Sequence, residues 1–194
     1  MLTHPKTNFL AKEPIHAQLT TIIGMMGAGK SKLGYIVSKI LNVKFYDIDD
    51  IIEKELNTTI KKLFKSQGEA FFRKIEEEKI KMVINNAINK NEKAIISIGG
   101  GAFDNEYSRE LLLKNTKVIW LNVPTDILIK RIGDGSKRPM IKGNIKKSIT
   151  EILSKRVKYY SLSHHQLNAY NLTQKQITKK MIQFISPENK KDYR

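Results

Sequence analysis

The chain contains no cysteine, which excludes disulfides, thiolate metal sites and cysteine nucleophiles. It contains no apolar run approaching the roughly 18 residues that a membrane span needs, so no membrane partner is expected. Residues 1–17 hold Pro5, Lys6, Lys12, Glu13 and Pro14 with no apolar stretch between them. They predict a flexible extension rather than a secretory signal, and a cytoplasmic location follows as the default. Histidine is sparse and unclustered: His164 and His165 are adjacent, while His4 and His16 fall in the extension. That leaves no histidine metal cluster.

Arginine is also scarce. Only six of the 35 basic residues are arginine, and the lysines are spread over the whole chain. The net charge of +16 therefore reads as diffuse lysine on solvated faces, not as a nucleic-acid groove. Its field still favours anionic ligands.

What is present is an ordinary globular composition, 40% hydrophobic and 28% charged over 194 residues. That length suits one well-buried domain, and a monomer is expected. Short apolar runs alternate with amphipathic segments. Strands are predicted at 19–24, 43–46, 94–98, 117–123 and near 167–172. Between them, helices are predicted after residue 30, near 50–66, and at 68–89, 104–114, 125–131 and 145–162. A last helix starts at Thr173 and buries Ile177, Met181, Phe184 and Ile185. In the helix after residue 30, Leu33, Ile36, Val37, Ile40 and Leu41 share one face. Alternation of this kind means a parallel sheet wrapped by helices on both faces. The domain is expected to span 18–187, with a glycine-containing polar loop at 132–142 and a charged tail at 188–194.

Residues 24–31, Gly-Met-Met-Gly-Ala-Gly-Lys-Ser, fit G-x-x-x-x-G-K-[ST] at every position, between an apolar strand and an amphipathic helix. Glycines let backbone N–H groups turn toward phosphate oxygens, and the helix N-terminus adds partial positive charge. Lys30 is expected on the β- and γ-phosphates of a nucleotide, and the Ser31 hydroxyl on Mg²⁺.

The acceptor must be read elsewhere. Asp47 and Asp49 follow the second strand two residues apart, so both face the crevice if the strand extends through them. One would then support Mg²⁺ while the other orients or deprotonates an acceptor hydroxyl. The alternative is that they, with Asp50, are helix-capping acids. Arg73 and Glu76 are i, i+3 neighbours beside Phe71 and Phe72, either a surface ion pair or a carboxylate-recognition site. Arg156 continues the apolar stripe of Ile149, Ile152 and Leu153. An inward arginine needs an anionic partner, unless its stem lies along apolar surface with the head in water. Arg131 and Arg138 bracket a glycine-hinged basic loop suited to a lid over phosphates. Four of the six arginines thus fall on candidate site positions.

Taken together, these residues resemble shikimate kinase, from about Leu19 to the last helix and without a large gap. The family's markers are a G-x-x-G-x-G-K-S loop, F-x-D-x-D, G-E-x-x-F-R-x-x-E, G-G-G, a lid ending R-P, and R-x-P-x-Y. They fall here at 24–31, 45–49, 68–76, 99–101, 138–139 and 156–160. The resemblance implies a P-loop NTPase-like, three-layer α/β/α fold with a five-stranded parallel sheet, like the nucleoside monophosphate kinases, and a mobile lid. It implies ATP as co-substrate on Gly27, Ala28, Gly29, Lys30, Ser31 and Lys32, with Arg131 near the adenine and Arg138 reaching the phosphates from the lid. Mg²⁺ would be held by Ser31 and Asp47. Asp49 would bind the shikimate hydroxyls and act as base. Arg73 and Arg156 would grip the carboxylate over a floor of Gly99, Gly100 and Gly101. The implied product is shikimate 3-phosphate, within chorismate and aromatic amino-acid synthesis.

Some positions depart from the pattern. Lys158 stands where the last motif has proline, and Lys130 and Asp134 differ from the arginine and glycine common at the lid's start. A kinase for another small acceptor such as gluconate is the nearest rival, but it would not need two carboxylate-gripping arginines with paired aspartates. A nucleoside or nucleotide monophosphate kinase would call for base-recognition residues that are not evident. A basic nucleic-acid-binding NTPase would show steeply salt-dependent binding.

Overall fold

The computed structural model describes residues 14–135, 140–141 and 143–187. Arg138, Pro139 and the middle of the expected lid lie outside these residues, as do the first thirteen residues and the tail from 188.

Five strands form one parallel sheet: β1 (Leu19–Ile23), β2 (Lys44–Asp47), β3 (Ala94–Ser97), β4 (Lys117–Asn122) and β5 (His165–Asn168). Their spatial order is β2-β3-β1-β4-β5. The helices are α1 (Lys30–Leu41), α2 (Ile48–Glu55), α3 (Ile60–Asn89), α4 (Glu106–Asn115), α5 (Thr125–Ile132), α6 (Ile145–Tyr160) and α7 (Gln174–Ile185). A 3-10 turn, Ala102–Asp104, precedes α4. This is the expected three-layer architecture. Among the described residues no helix is long and apolar enough to cross a membrane.

The central strands carry the core because both faces of a parallel sheet are covered. Every residue of β1 and of β3 is buried, whereas the edge strands β2 and β5 each bury one. Of the two polar residues in β1, Thr21 is paired, Thr116 Oγ1 donating to its Oγ1 at 2.9 Å, while the buried Thr20 Oγ1 has no hydrogen-bond partner among the described residues. Chain reversal places the loop after β1 between the ends of β3 and β4, the switch point at which open parallel sheets bind ligand.

Several boundaries depart from the sequence reading. The segment near 50–66 is two helices, because Thr59 caps α3 through the Lys62 N–H. The break expected ahead of the 68–89 helix is present as a kink inside α3 at Gly68, whose φ of 82° and ψ of 174° suit a residue without Cβ. The helix expected at 104–114 is split, since Asn105 accepts the Ser108 N–H at 2.9 Å and starts α4 there. On α1, Ile40 is 42% exposed; the inward positions go to Leu33, Gly34, Val37 and Ser38. β5 starts earlier than expected because its pairing begins at Ile119 opposite His165. Just before it, His164 Nδ1 accepts the Val118 N–H at 2.9 Å.

Candidate active site

The phosphate loop rises from β1 and enters α1. Gly27 and Gly29 hold φ of 76° and 95°, which turn the backbone in a way side chains resist. The buried Lys30 ammonium lies along this loop, donating to the carbonyls of Gly24 at 3.0 Å and Met25 at 3.2 Å. On the outer side Arg131, from α5, donates to the carbonyls of Ala28 at 3.0 Å and Gly27 at 3.3 Å. Lys32 is exposed in the first turn of α1.

Beside the loop, Ser31 Oγ lies 3.5 Å from Ser97 Oγ, and Ser97 is level with Asp47 across the β2–β3 ladder. Asp47 is buried. Its Oδ1 accepts the N–H groups of Asp49 at 3.1 Å and Asp50 at 3.4 Å, so it is the N-cap of α2. Its Oδ2 is buried with no hydrogen-bond partner among the described residues. Ser31 and Asp47 line one pocket with Asp49, Asp50 and Glu53. A carboxylate oxygen without a protein partner beside a hydroxyl is a donor set that fits Mg²⁺, a hard cation that takes few protein ligands and completes its shell with phosphates and water.

This corrects the reading of the aspartates. β2 does not run through Asp49; it ends at Asp47, because capping α2 uses that carboxylate. Asp49 reaches the site from the first turn of a helix, not from alternate positions of a strand. Asp50 also lies in that turn, while the cap itself is Asp47.

A second pocket is lined by Met26, Asp49, Phe72, Arg73, Gly99, Gly100, Gly101, Met140 and Arg156. It brings together all six residues expected to bind the acceptor. Each glycine has a physical reason. A Cβ on Gly99 would collide with the Glu76 carboxylate. One on Gly101 would collide with the Arg73 guanidinium and lie 2.7 Å from Arg156 Nη2, and one on Gly100 would lie 3.1 Å from Arg156 Nη1. The two arginine heads therefore converge over Gly101. Tyr160, fully buried, donates its hydroxyl to the Gly100 carbonyl at 2.5 Å and fixes the middle of the floor.

The charges are held by protein partners. Arg73 Nη1 donates to Glu76 Oε2 at 2.6 Å, and its Nε and Nη2 donate to Glu69 at 3.2 and 3.1 Å. Its guanidinium also stands 5.2 Å from the Phe72 ring centre. Arg156 Nε donates to Asp104 Oδ2 at 2.9 Å. Burial pushes Glu76 up to about 7, although Arg73 pulls it back. Burial likewise holds Asp104 above the usual carboxylate range against the pull of Arg156. Burial alone would lower Arg73, but Glu76 and Glu69 outweigh it and raise it. Arg73 is ion-paired, though not at the surface, since Glu76 is buried, and it lines the pocket. Arg156 is 5% exposed, so its head is not in water. α6 runs unbroken through Lys158, which leaves Arg156 on its inward face.

A family model described as shikimate kinase matches residues 26–186. The chain belongs to the shikimate kinase family. A shikimate kinase of Sulfurihydrogenibium sp. (strain YO3AOP1) is 34% identical over 161 residues, 83% of this chain and 93% of that one. One from Aquifex aeolicus (strain VF5) is 32% identical over 140 residues, covering 72% of this chain and 80% of its own. Among solved structures, the shikimate kinase of Bacteroides thetaiotaomicron superposes with a TM-score of 0.75 at 30% identity, over 86% of this chain and 97% of that one. The Acinetobacter baumannii shikimate kinase in complex with shikimate gives 0.81 at 24% identity, over 89% and 95%, a likeness of fold. Membership makes this chain a kinase, and its P-loop is the family's nucleotide-binding element.

The sequence left three residues that support the pocket from behind without a role. Glu76 was visible only as an ion-pair neighbour of Arg73. Tyr160 was visible only as the end of a motif. Asp104 gave no signal, since it lies 52 residues from Arg156 and only the fold joins them.

Proposed function

We propose that this chain transfers the γ-phosphoryl group of ATP to the 3-hydroxyl of shikimate, giving shikimate 3-phosphate and ADP on the route to chorismate and the aromatic amino acids. One observation carries the choice of acceptor: Arg73 and Arg156 converge over Gly101 in the pocket that Asp49 also lines. Two guanidiniums suit one carboxylate, and a carboxylate lining the same pocket suits the hydroxyls of the same small ring.

In this reading Asp49 accepts the proton of the 3-hydroxyl as its oxygen bonds to the γ-phosphorus. The bond from that phosphorus to the β–γ bridging oxygen breaks, and ADP leaves with the electron pair. Lys30 moves from the loop carbonyls onto the β- and γ-phosphates, and the loop N–H groups hold the rest. Ser31 and Asp47 would hold Mg²⁺, which supplies neutralisation of charge on the phosphate oxygens. Arg131 stays on the nucleotide side of the loop, near the adenine, with Lys32 beside the phosphates. Arg138 belongs to a lid over 132–142 that closes on the phosphates and excludes water. The enzyme acts as a single domain in the cytoplasm. Phosphorus NMR of the product tests the regiochemistry: one phosphomonoester on the 3-position supports it, and a phosphate on another hydroxyl overturns it.

A further inference from the structure

Arg156 meets a protein carboxylate before any acceptor arrives, and which of its donors does so matters. Asp104 Oδ2 takes Nε alone, at 2.9 Å. The terminal nitrogens Nη1 and Nη2 are the ones that lie over Gly100 and Gly101. Asp104 itself does not line the pocket. It meets the guanidinium on the Nε side, so the two terminal nitrogens remain turned toward the glycine floor.

The turn that carries Asp104 is fixed from neighbouring elements. Arg109, on α4, donates Nη1 to the carbonyls of Phe103 at 3.2 Å and Asp104 at 3.1 Å. The same guanidinium stands 4.7 Å from the ring centre of Tyr159 on α6. The next residue, Asn105, caps α4 and donates to Glu77 of α3 at 3.0 Å. Asp104 is thus held to α3, α4 and α6 through its neighbours, and its carboxylate is a fixed point for Arg156. An arginine anchored at Nε loses rotation about its last bonds, so less freedom is lost when the remaining pair of donors grips an anion.

We propose that Asp104 is a positioning residue of the acceptor pocket, which anchors Arg156 through Nε so that Nη1 and Nη2 receive the acceptor's carboxylate. This rests on the acceptor reading above and adds to it a residue that touches neither substrate. A carboxylate acting as competitor would make the opposite contribution, occupying the terminal nitrogens until the acceptor displaced it.

The test compares Asp104→Ala and Asp104→Asn with the parent enzyme. Asp104→Ala is expected to raise KM for shikimate about tenfold, the scale of one charged hydrogen bond, while KM for ATP stays unchanged. Asp104→Asn recovers most of that loss, because its amide oxygen still accepts the Nε–H. In an Arg156→Lys background, which has no Nε, adding Asp104→Ala has little further effect. A KM for shikimate that falls in Asp104→Ala overturns the proposal in favour of a competitor, and equal changes for both substrates overturn it in favour of a purely structural role. A readout that needs no acceptor separates this from the acceptor reading. The Arg156 Nε–H resonance, assigned by its loss in Arg156→Lys, is expected to be protected from exchange in the parent and in Asp104→Asn, and unprotected in Asp104→Ala. Equal protection in all three overturns the proposal even if shikimate is not the substrate. Absence of shikimate turnover in the parent, with protection as expected, removes the acceptor reading alone.

Discussion

Asp47 caps the helix on which Asp49 rides, its Oδ1 accepting the Asp49 N–H at 3.1 Å. The two acids of the site are therefore mechanically joined, and their tasks divide by atom. One oxygen of Asp47 holds α2 in place. The other, Oδ2, has no protein partner among the described residues and is the oxygen proposed above to meet the metal.

Replacing Asp49 by Asn should lower kcat by about 10²- to 10⁴-fold, the range for loss of a general base, with ATP binding intact. Asp47→Asn keeps the cap through its amide oxygen and should weaken the dependence on Mg²⁺ instead. Asp47→Ala loses the cap as well, costing about 1 kcal/mol of stability. Magnesium titrations and thermal unfolding of the three variants separate these effects.

Arg73 and Arg156 should not tolerate lysine. An ammonium cannot reproduce a planar fork that binds a protein carboxylate and an acceptor carboxylate together. Each Arg→Lys change is expected to raise KM for shikimate by about tenfold or more, with KM for ATP little altered. Comparable rises for both substrates in steady-state kinetics would remove the carboxylate role.

The glycine floor makes a sharper demand. Gly101→Ala puts a methyl group where both arginine heads lie and should abolish measurable shikimate binding in calorimetry while nucleotide still binds. Gly99→Ala presses on the buried Glu76 carboxylate and should also cost stability, by about 1–3 kcal/mol as for other overpacked sites.

Much of this was legible in the sequence, because local chemistry declares itself locally. The phosphate loop needs glycines at fixed spacing beside an apolar strand, and Arg156 announced itself by interrupting an apolar stripe. The parallel sheet followed from buried runs alternating with amphipathic helices. The failures came where tertiary geometry overrides pattern. Strand parity suggested a joint reach for Asp47 and Asp49, but a capping hydrogen bond ends the strand one residue after Tyr46. Ile40 fitted the helical period and lies exposed, since the buried face turns toward Gly34 and Ser38. Asp104 could not be found at all, because nothing at three residues past a glycine triplet marks a carboxylate as the partner of a distant arginine.

Glu76 gives the fold a pH dependence of definite sign. Its value rises from 4.5 to about 7 on burial, so between those values the folded chain binds more protons than the unfolded chain. Stability must then fall as pH rises from about 4.5 to 7 and level off above, by up to about 3 kcal/mol from this group. Asp104, also raised by burial, adds in the same direction. Urea unfolding at pH 5, 6 and 7 should show a shallower decline for Glu76→Gln than for the parent; equal slopes would exclude Glu76 as the source.

The central claim is the acceptor, and ADP release from Mg-ATP measures it most directly, with shikimate added beside gluconate and nucleoside monophosphate controls. Stimulation by shikimate alone is expected, and its loss in Asp49→Asn and Arg73→Ala. A protein that binds ATP through Lys30, ignores shikimate and responds to gluconate would contradict the account.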